Sequence, residues 1–416
     1  MYRGINIKHA AFISFVCLAA FALLVLRRPD ILFNAQPWAE DGTVWMQGIH
    51  NNGFFNTIFM PQNGYYQSIS KISYGIGMMF GLENAALVSN IIAICIRASM
   101  CAFILSNRMS NFGFTPRLAI ALYLVFMPNI AEGYINITNA HWYLAMYLTM
   151  TLVATTANTK LEIAHDYALL IIAGLSGPFI VFIAPCLIIK RIIERNGFLN
   201  AIKKINAFDV LTGFICIIQI IAILTTVNET RTTAPLGATF TLLTQIISYR
   251  VILGTFFYTP QALWLVDNIP LMMFMFFSFI VVFVFALFKK NKYLLILSPL
   301  PILMITFALA KPMMSNIDPQ WPKFLIPGSG DRYFFITNVF FFAFIIYLIS
   351  LVGKFSNILI IIFLIILTPL ASTYASIYPL AEYGYKDNIK KYYELKDGEY
   401  IDIMINPKWN MRLYKK

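Results

Sequence analysis

YALLIIAGLSGPFIVFIAPCLII, residues 167–189, decides how this chain is built. The stretch is long and apolar enough to cross about 30 Å of hydrocarbon as one helix at about 1.5 Å per residue. Its middle argues otherwise: Gly174-Leu175-Ser176-Gly177-Pro178-Phe179 is a helix breaker, because proline lacks the backbone donor and clashes with the preceding turn. Charge argues the same way. Lys and Arg in short loops gather on the cytoplasmic side of a membrane, and the stretch starts at that side and ends at Lys190, Arg191, Arg195, Lys203 and Lys204, the most basic loop of the chain. A segment with both ends on one side is two half-helices that enter and leave together, or two short tilted spans. Irregular backbone at membrane depth survives only when buried in protein or lining a wet cavity, so a cavity is expected near residues 174–179.

The composition around this stretch belongs to an integral membrane protein. Hydrophobic residues make up 59%, charged residues only 12%, and the mean hydropathy is +0.71, too apolar for an ordinary soluble surface. The apolar runs have helix length and lack barrel-like alternation. The net charge of +12 is spread over inter-helix loops, which reads as topology rather than as a nucleic-acid patch. Cys17, Cys95, Cys101, Cys186 and Cys216 all lie in apolar segments without a CxxC pair, and His9, His50, His141 and His165 lack metal-ligand spacing. Neither a disulfide framework, a bound metal nor another cofactor is suggested.

The basic loops act as a compass. Besides the loop after residue 189, Arg108 with Arg117, then Lys289, Lys290 and Lys292, then Lys354 mark the inner side. Residues 10–26 form a retained first span, because no small-residue cleavage site follows. Residues 27–84 form a large outer loop. Single spans at 85–105, 118–129, 141–158, 210–227, 269–288, 293–310, 333–352 and 355–371 follow, interrupted by the broken pair at 167–189 and by outer segments at 228–268 and 311–331. The expected architecture is all-α, about nine transmembrane helices plus a re-entrant pair. One polytopic domain covers 1–371, with residues 372–416 as an outer tail. All six tryptophans (Trp38, Trp45, Trp142, Trp264, Trp321, Trp409) fall on or beside outer segments. An interfacial belt alone populates both faces, so the outer surface is unusually aromatic. The tail's basic residues, Lys390 and Lys391 among them, pull towards the inner side, but its acids offset them and Trp409 supports the outer placement.

Chemistry concentrates on that outer face. Pro37-Trp38-Ala39-Glu40-Asp41-Gly42 places two carboxylates beside a tryptophan just after the first span, and Trp45, His50, Tyr65 and Tyr66 follow. Rings beside amides and carboxylates suit a sugar, whose C–H faces stack while its hydroxyls need hydrogen-bond partners. A desolvated carboxylate acts as general base towards a hydroxyl; adjacency alone does not choose between Glu40 and Asp41. The second outer turn, between two short spans, brings Glu132, Asn136, Asn139, His141 and Trp142 to the same side. Outer cations complete the set: Arg332 in Gly330-Asp331-Arg332-Tyr333-Phe334 at the mouth of a span, with Arg231, Arg250, Lys311 and Lys323. Arginine forks match phosphate oxygens. Arg97, inside a span, reads as snorkelling inwards.

The Glu40-Asp41 loop, the short early spans, the Asn139-Ala140-His141-Trp142 turn, the break at 174–179 and the tail after a ninth span resemble the polytopic GT-C glycosyltransferases. Within that superfamily the chain most resembles the phage-encoded serotype-converting glucosyltransferases that modify bacterial O-antigen. The resemblance covers nearly the whole chain in layout, through short motifs. It implies a multi-pass protein of the bacterial inner membrane with its active site towards the periplasm. Its donor would be undecaprenyl-phosphate glucose, and its acceptor a sugar, typically rhamnose, of lipid-linked O-antigen. Donor-synthesising and flippase proteins would be its partners, alongside membrane lipids. The implied reaction inverts the anomeric centre in one displacement, with Glu40 or Asp41 as base and Arg332 at the phosphate; Trp38, Trp45, Tyr65, Tyr66, Glu132, Asn136, Asn139, His141, Trp142 and Tyr333 would contact substrate. Two other classes compete. A transporter or flippase of lipid-linked sugars predicts charged residues in spans and repeated halves. A membrane O-acetyltransferase would centre on a histidine with a cytoplasmic acyl donor; His165 is the only histidine in an internal loop, and the sequence offers it no partner.

Overall fold

The computed structural model describes residues 7–226 and 232–416. Seven of its helices are long and apolar enough to cross a membrane: Ile7–Arg27, Leu82–Leu105, Ala207–Thr225, Ile269–Phe288, Lys292–Ala310, Asp331–Ser350 and Ser356–Thr373. The chain is a multi-pass, mostly helical membrane protein. Ser356–Thr373 turns Ile358, Ile361, Ile365 and Ile366 outwards, a surface that only lipid solvates.

Two expected single spans are shorter helices, Phe114–Phe126 and Ala140–Val153. Ala140–Val153 is enclosed by protein on nearly every side, with Met150 its one residue that is not buried. At about 1.5 Å per residue it is roughly 21 Å long, well short of the hydrocarbon thickness. The observed cavity lies at the end carrying Asn139, His141 and Trp142.

The break at 174–179 separates the helices Lys160–Gly174 and Phe179–Glu194. A capping box between Thr159 and Glu162 starts the first, and Gly177, at φ +116°, turns the chain between them. The break packs on the outer loop. Gly177 N–H donates to Tyr66 O at 2.7 Å, Ser68 N–H to Leu175 O at 3.0 Å, and Ile69 N–H to Ser176 Oγ at 2.9 Å. Gln219 closes the junction, accepting from Tyr66 N–H and donating to Gly174 O. On the opposite side, Arg191 and Arg195 both bind Asp209, at 2.7 and 2.8 Å, so part of the most basic loop is neutralised locally.

Several expectations change. The segment expected as outer loop between residues 228 and 268 contains an apolar helical stretch, Phe240–Leu253, its second half π-helical. The tail is folded, and not wholly helical: Tyr385–Tyr393 is a helix, and Tyr400–Ile405 pairs antiparallel with Trp409–Tyr414. The hairpin buries Ile403, Ile405, Met411 and Leu413 and lies on the Glu40 loop, where a Cβ on Gly42 would overlap Ile405. Ala39 N–H donates to Asn406 O, Arg412 N–H to Gln47 Oε1 at 2.7 Å and Tyr414 N–H to Asn51 Oδ1 at 3.2 Å. The tail and the first loop therefore share one face. Arg97 does not snorkel. It is buried between the Tyr134 and Tyr143 rings, and its guanidinium donates to Leu124 O at 2.8 Å.

Candidate functional site

A cavity of about 440 Å³ opens where the first loop, the break, the start of Ala140–Val153 and the tail meet. Trp38, Glu40, Trp45 and Tyr65 reach it from the first loop, and Glu132, Asn139, His141 and Trp142 from the second turn. Arg332 and Tyr333 come from the mouth of the Asp331–Ser350 segment. Ten expected site residues, distant in sequence, thus line one space. Four of the six tryptophans do so, Trp409 arriving from the tail hairpin.

The two acids separate. Glu40 is half-buried and lines the cavity, whereas Asp41 is 1% exposed and does not. Asp41 Oδ1 accepts from Thr138 N–H at 2.9 Å and from Thr138 Oγ1 at 2.6 Å, and Trp45 Nε1 donates to the same hydroxyl at 2.7 Å. Burial pushes the Asp41 carboxyl up to about 7, against the lowering effect of the Thr138 bonds. Asp41 therefore orders the turn before Ala140–Val153, and Glu40 is the acid of the pair that lines the cavity.

His141 is fixed by Gln67, whose amide nitrogen lies 3.0 Å from His141 Nδ1 and donates to Thr138 O at 2.7 Å. With Nδ1 accepting, the ring carries its proton on Nε2. The imidazole stacks on Phe179, centroids 5.1 Å apart, and Trp142 packs on the same ring at 4.6 Å. The indole N–H of Trp142 has no hydrogen-bond partner among the described residues. Met304, Phe307 and Phe182 add an apolar wall, so the site has a polar, aromatic side and a greasy side.

The expected cations do not all serve. Arg332 lines the cavity but is ion-paired with Glu132, which also accepts from its backbone N–H at 3.1 Å. Arg250 is buried against Asp331 and the carbonyls of Phe324 and Ile326 and does not line the cavity. Lys323 bonds Asp318 at 2.7 Å outside the cavity. Arg231 lies outside the described residues. Lys311 is exposed, lines the cavity and forms no ion pair among the described residues. Asn136 and Tyr66 also stand behind the lining: Asn136 Oδ1 accepts from Asn139 N–H at 3.0 Å, and Tyr66 offers its backbone to the break. Sequence reasoning missed Gln67, Thr138 and Phe179. Phe179 was signalled by its place in the break, but Gln67 and Thr138 carry no local signal.

His165 is not without a partner. It bonds Tyr147 Oη at 2.9 Å and Asp166 at 2.9 Å, and Arg108 grips Asp166 at 2.8 Å. This cluster ties the helices Ala140–Val153 and Lys160–Gly174 to the turn that carries Arg108. Among the described residues, no three His, Cys, Asp or Glu side chains converge as metal ligands. The chain matches no family model, no curated protein and no solved structure.

Proposed function

We propose that the protein is an inverting sugar transferase that uses a lipid-linked donor. The cavity carries this reading: two acids, Glu40 and the Arg332-paired Glu132, stacked aromatics and amides, two cations and an apolar wall surround a single space. In this reading the acceptor hydroxyl oxygen attacks the anomeric carbon as the bond to the phosphate oxygen breaks. Glu40 takes the hydroxyl proton. Lys311 and Arg332 meet the departing phosphate, which leaves as a stable anion and needs no general acid. Arg332 is partly neutralised by Glu132, so Lys311 supplies the uncompensated charge. Trp38, Tyr65 and Trp409 offer stacking faces to the sugars, and Met304 and Phe307 receive the first isoprene units of the carrier.

At its most specific the donor is undecaprenyl-phosphate glucose and the acceptor a rhamnose of lipid-linked O-antigen, with the cavity towards the periplasm of a bacterial inner membrane. The test is to reconstitute the protein with that donor and acceptor and follow hexose transfer by mass spectrometry. Glu40→Gln is expected to lower transfer by about 100-fold or more, the scale of one general base. Unchanged transfer in a correctly inserted Glu40→Gln protein would overturn the assignment.

A further inference from the structure

The first loop contains a second cavity, of about 550 Å³, that the transfer reading leaves unused. Its volume falls within the roughly 300–1,000 Å³ of small-molecule sites. Gln47 and Gln62 supply amides to its wall, while the Asn51 amide is bonded to Arg412 O and Tyr414 N–H of the hairpin; Trp45 and Tyr414 supply rings, and Lys71 is its one charged lining residue. Lys71 is 1% exposed. Its ammonium donates to Met60 O and lies 5.9 Å from the Trp45 ring centroid. Among the described residues no carboxylate pairs with it.

An ammonium held out of water without a counter-ion is costly to keep, and burial pushes Lys71 down to about 8. One carbonyl and one ring face leave part of that charge uncompensated. Amides and aromatic rings around it match sugar hydroxyls and sugar C–H faces. We propose that this cavity binds an anionic sugar, a hexose bearing a carboxylate or a phosphate, with Lys71 as its counter-charge. Trp45 and Gln62 line both cavities, so the bound sugar lies one side chain away from the Glu40 site, as a neighbouring residue of an acceptor glycan. That placement on the acceptor rests on the transfer reading; the binding itself does not.

The binding is tested with purified full-length protein in detergent, without donor lipid, by saturation-transfer NMR with glucuronate, glucose 6-phosphate and glucose as probes. At least one anionic probe is expected to bind in preference to glucose, and which of the two binds separates carboxylate from phosphate. Lys71→Met is expected to weaken that binding by about 30-fold or more, the scale of removing one partner of a buried charge pair, while Lys71→Arg retains most of it. Thermal melts establish that both variants are folded. Equal binding of glucose and both anionic probes by the wild-type protein overturns the proposal whatever the variants do, as does full anion binding by folded Lys71→Met. Loss of sugar transfer with anion binding intact would count against the transferase reading alone.

Discussion

Asp41 accepts two hydrogen bonds from Thr138, from the backbone N–H at 2.9 Å and from the hydroxyl at 2.6 Å, across 97 residues of sequence. A carboxylate in the first loop thereby fixes the turn that begins the enclosed helix Ala140–Val153. That turn carries Asn139, His141 and Trp142 into the cavity, so Asp41 shapes the site without lining it.

This relationship has a pH signature. Burial raises the Asp41 carboxyl from 3.8 to about 7, so the folded protein binds that proton more tightly than the unfolded chain. Its contribution to stability is then complete below about pH 4 and declines as pH rises through about 7. The melting midpoint of the wild-type protein should fall over that window relative to Asp41→Asn, which has no titrating carboxyl there. Thermal melts at half-unit pH steps check it; parallel curves would show that Asp41 does not titrate in this way. Asp41→Ala strands two Thr138 donors and should lose about 2–4 kcal/mol.

The Glu132–Arg332 pair predicts unequal variants. Arg332→Ala removes a cation from the cavity and leaves Glu132 facing it unneutralised, so transfer should fall by about 100-fold, the scale of one electrostatic stabiliser. Glu132→Gln leaves the guanidinium in place and keeps an acceptor for the Arg332 N–H, and should retain most of the activity. Steady-state kinetics of the two variants distinguish them, and equal losses would mean that the pair acts only as a structural tie.

Gly177 sits at φ +116°, and an added Cβ would lie 3.3 Å from His141 Cδ2. Gly177→Ala is therefore strained both by backbone and by contact, at about 1–3 kcal/mol. A lower melting midpoint together with reduced transfer is expected, because the strain falls on the ring that Gln67 orients. Transfer that survives undiminished would separate His141 from the chemistry.

The tail and the first loop lie on one face. Cysteines placed at Asn56 and at Lys390, in a background without the five native cysteines, should react with an impermeant maleimide from the same side of sealed vesicles. Labelling from opposite sides would contradict the packing of the hairpin on residues 39–51.

Membrane character, the helical class and the break at 174–179 are all legible in the chain itself, because they depend on local quantities: apolar run length, proline chemistry and loop charge. What each outer residue does is not. Glu40 and Asp41 are neighbours in sequence, yet one faces the cavity and the other is buried against Thr138, since consecutive side chains on a turn point apart. Arg250 and Arg332 have the same chemistry in the chain, but Asp331 buries one while the other reaches the cavity. The partners of Asp41, His141, Arg332 and His165 come from contacts between elements, and composition carries no trace of them. Sequence by itself determined a many-helix membrane protein, because transfer free energy is a property of each segment alone. Only the tertiary structure decided which acid is exposed, which cation is free and that the tail closes over the first loop, because burial and pairing depend on which segments meet.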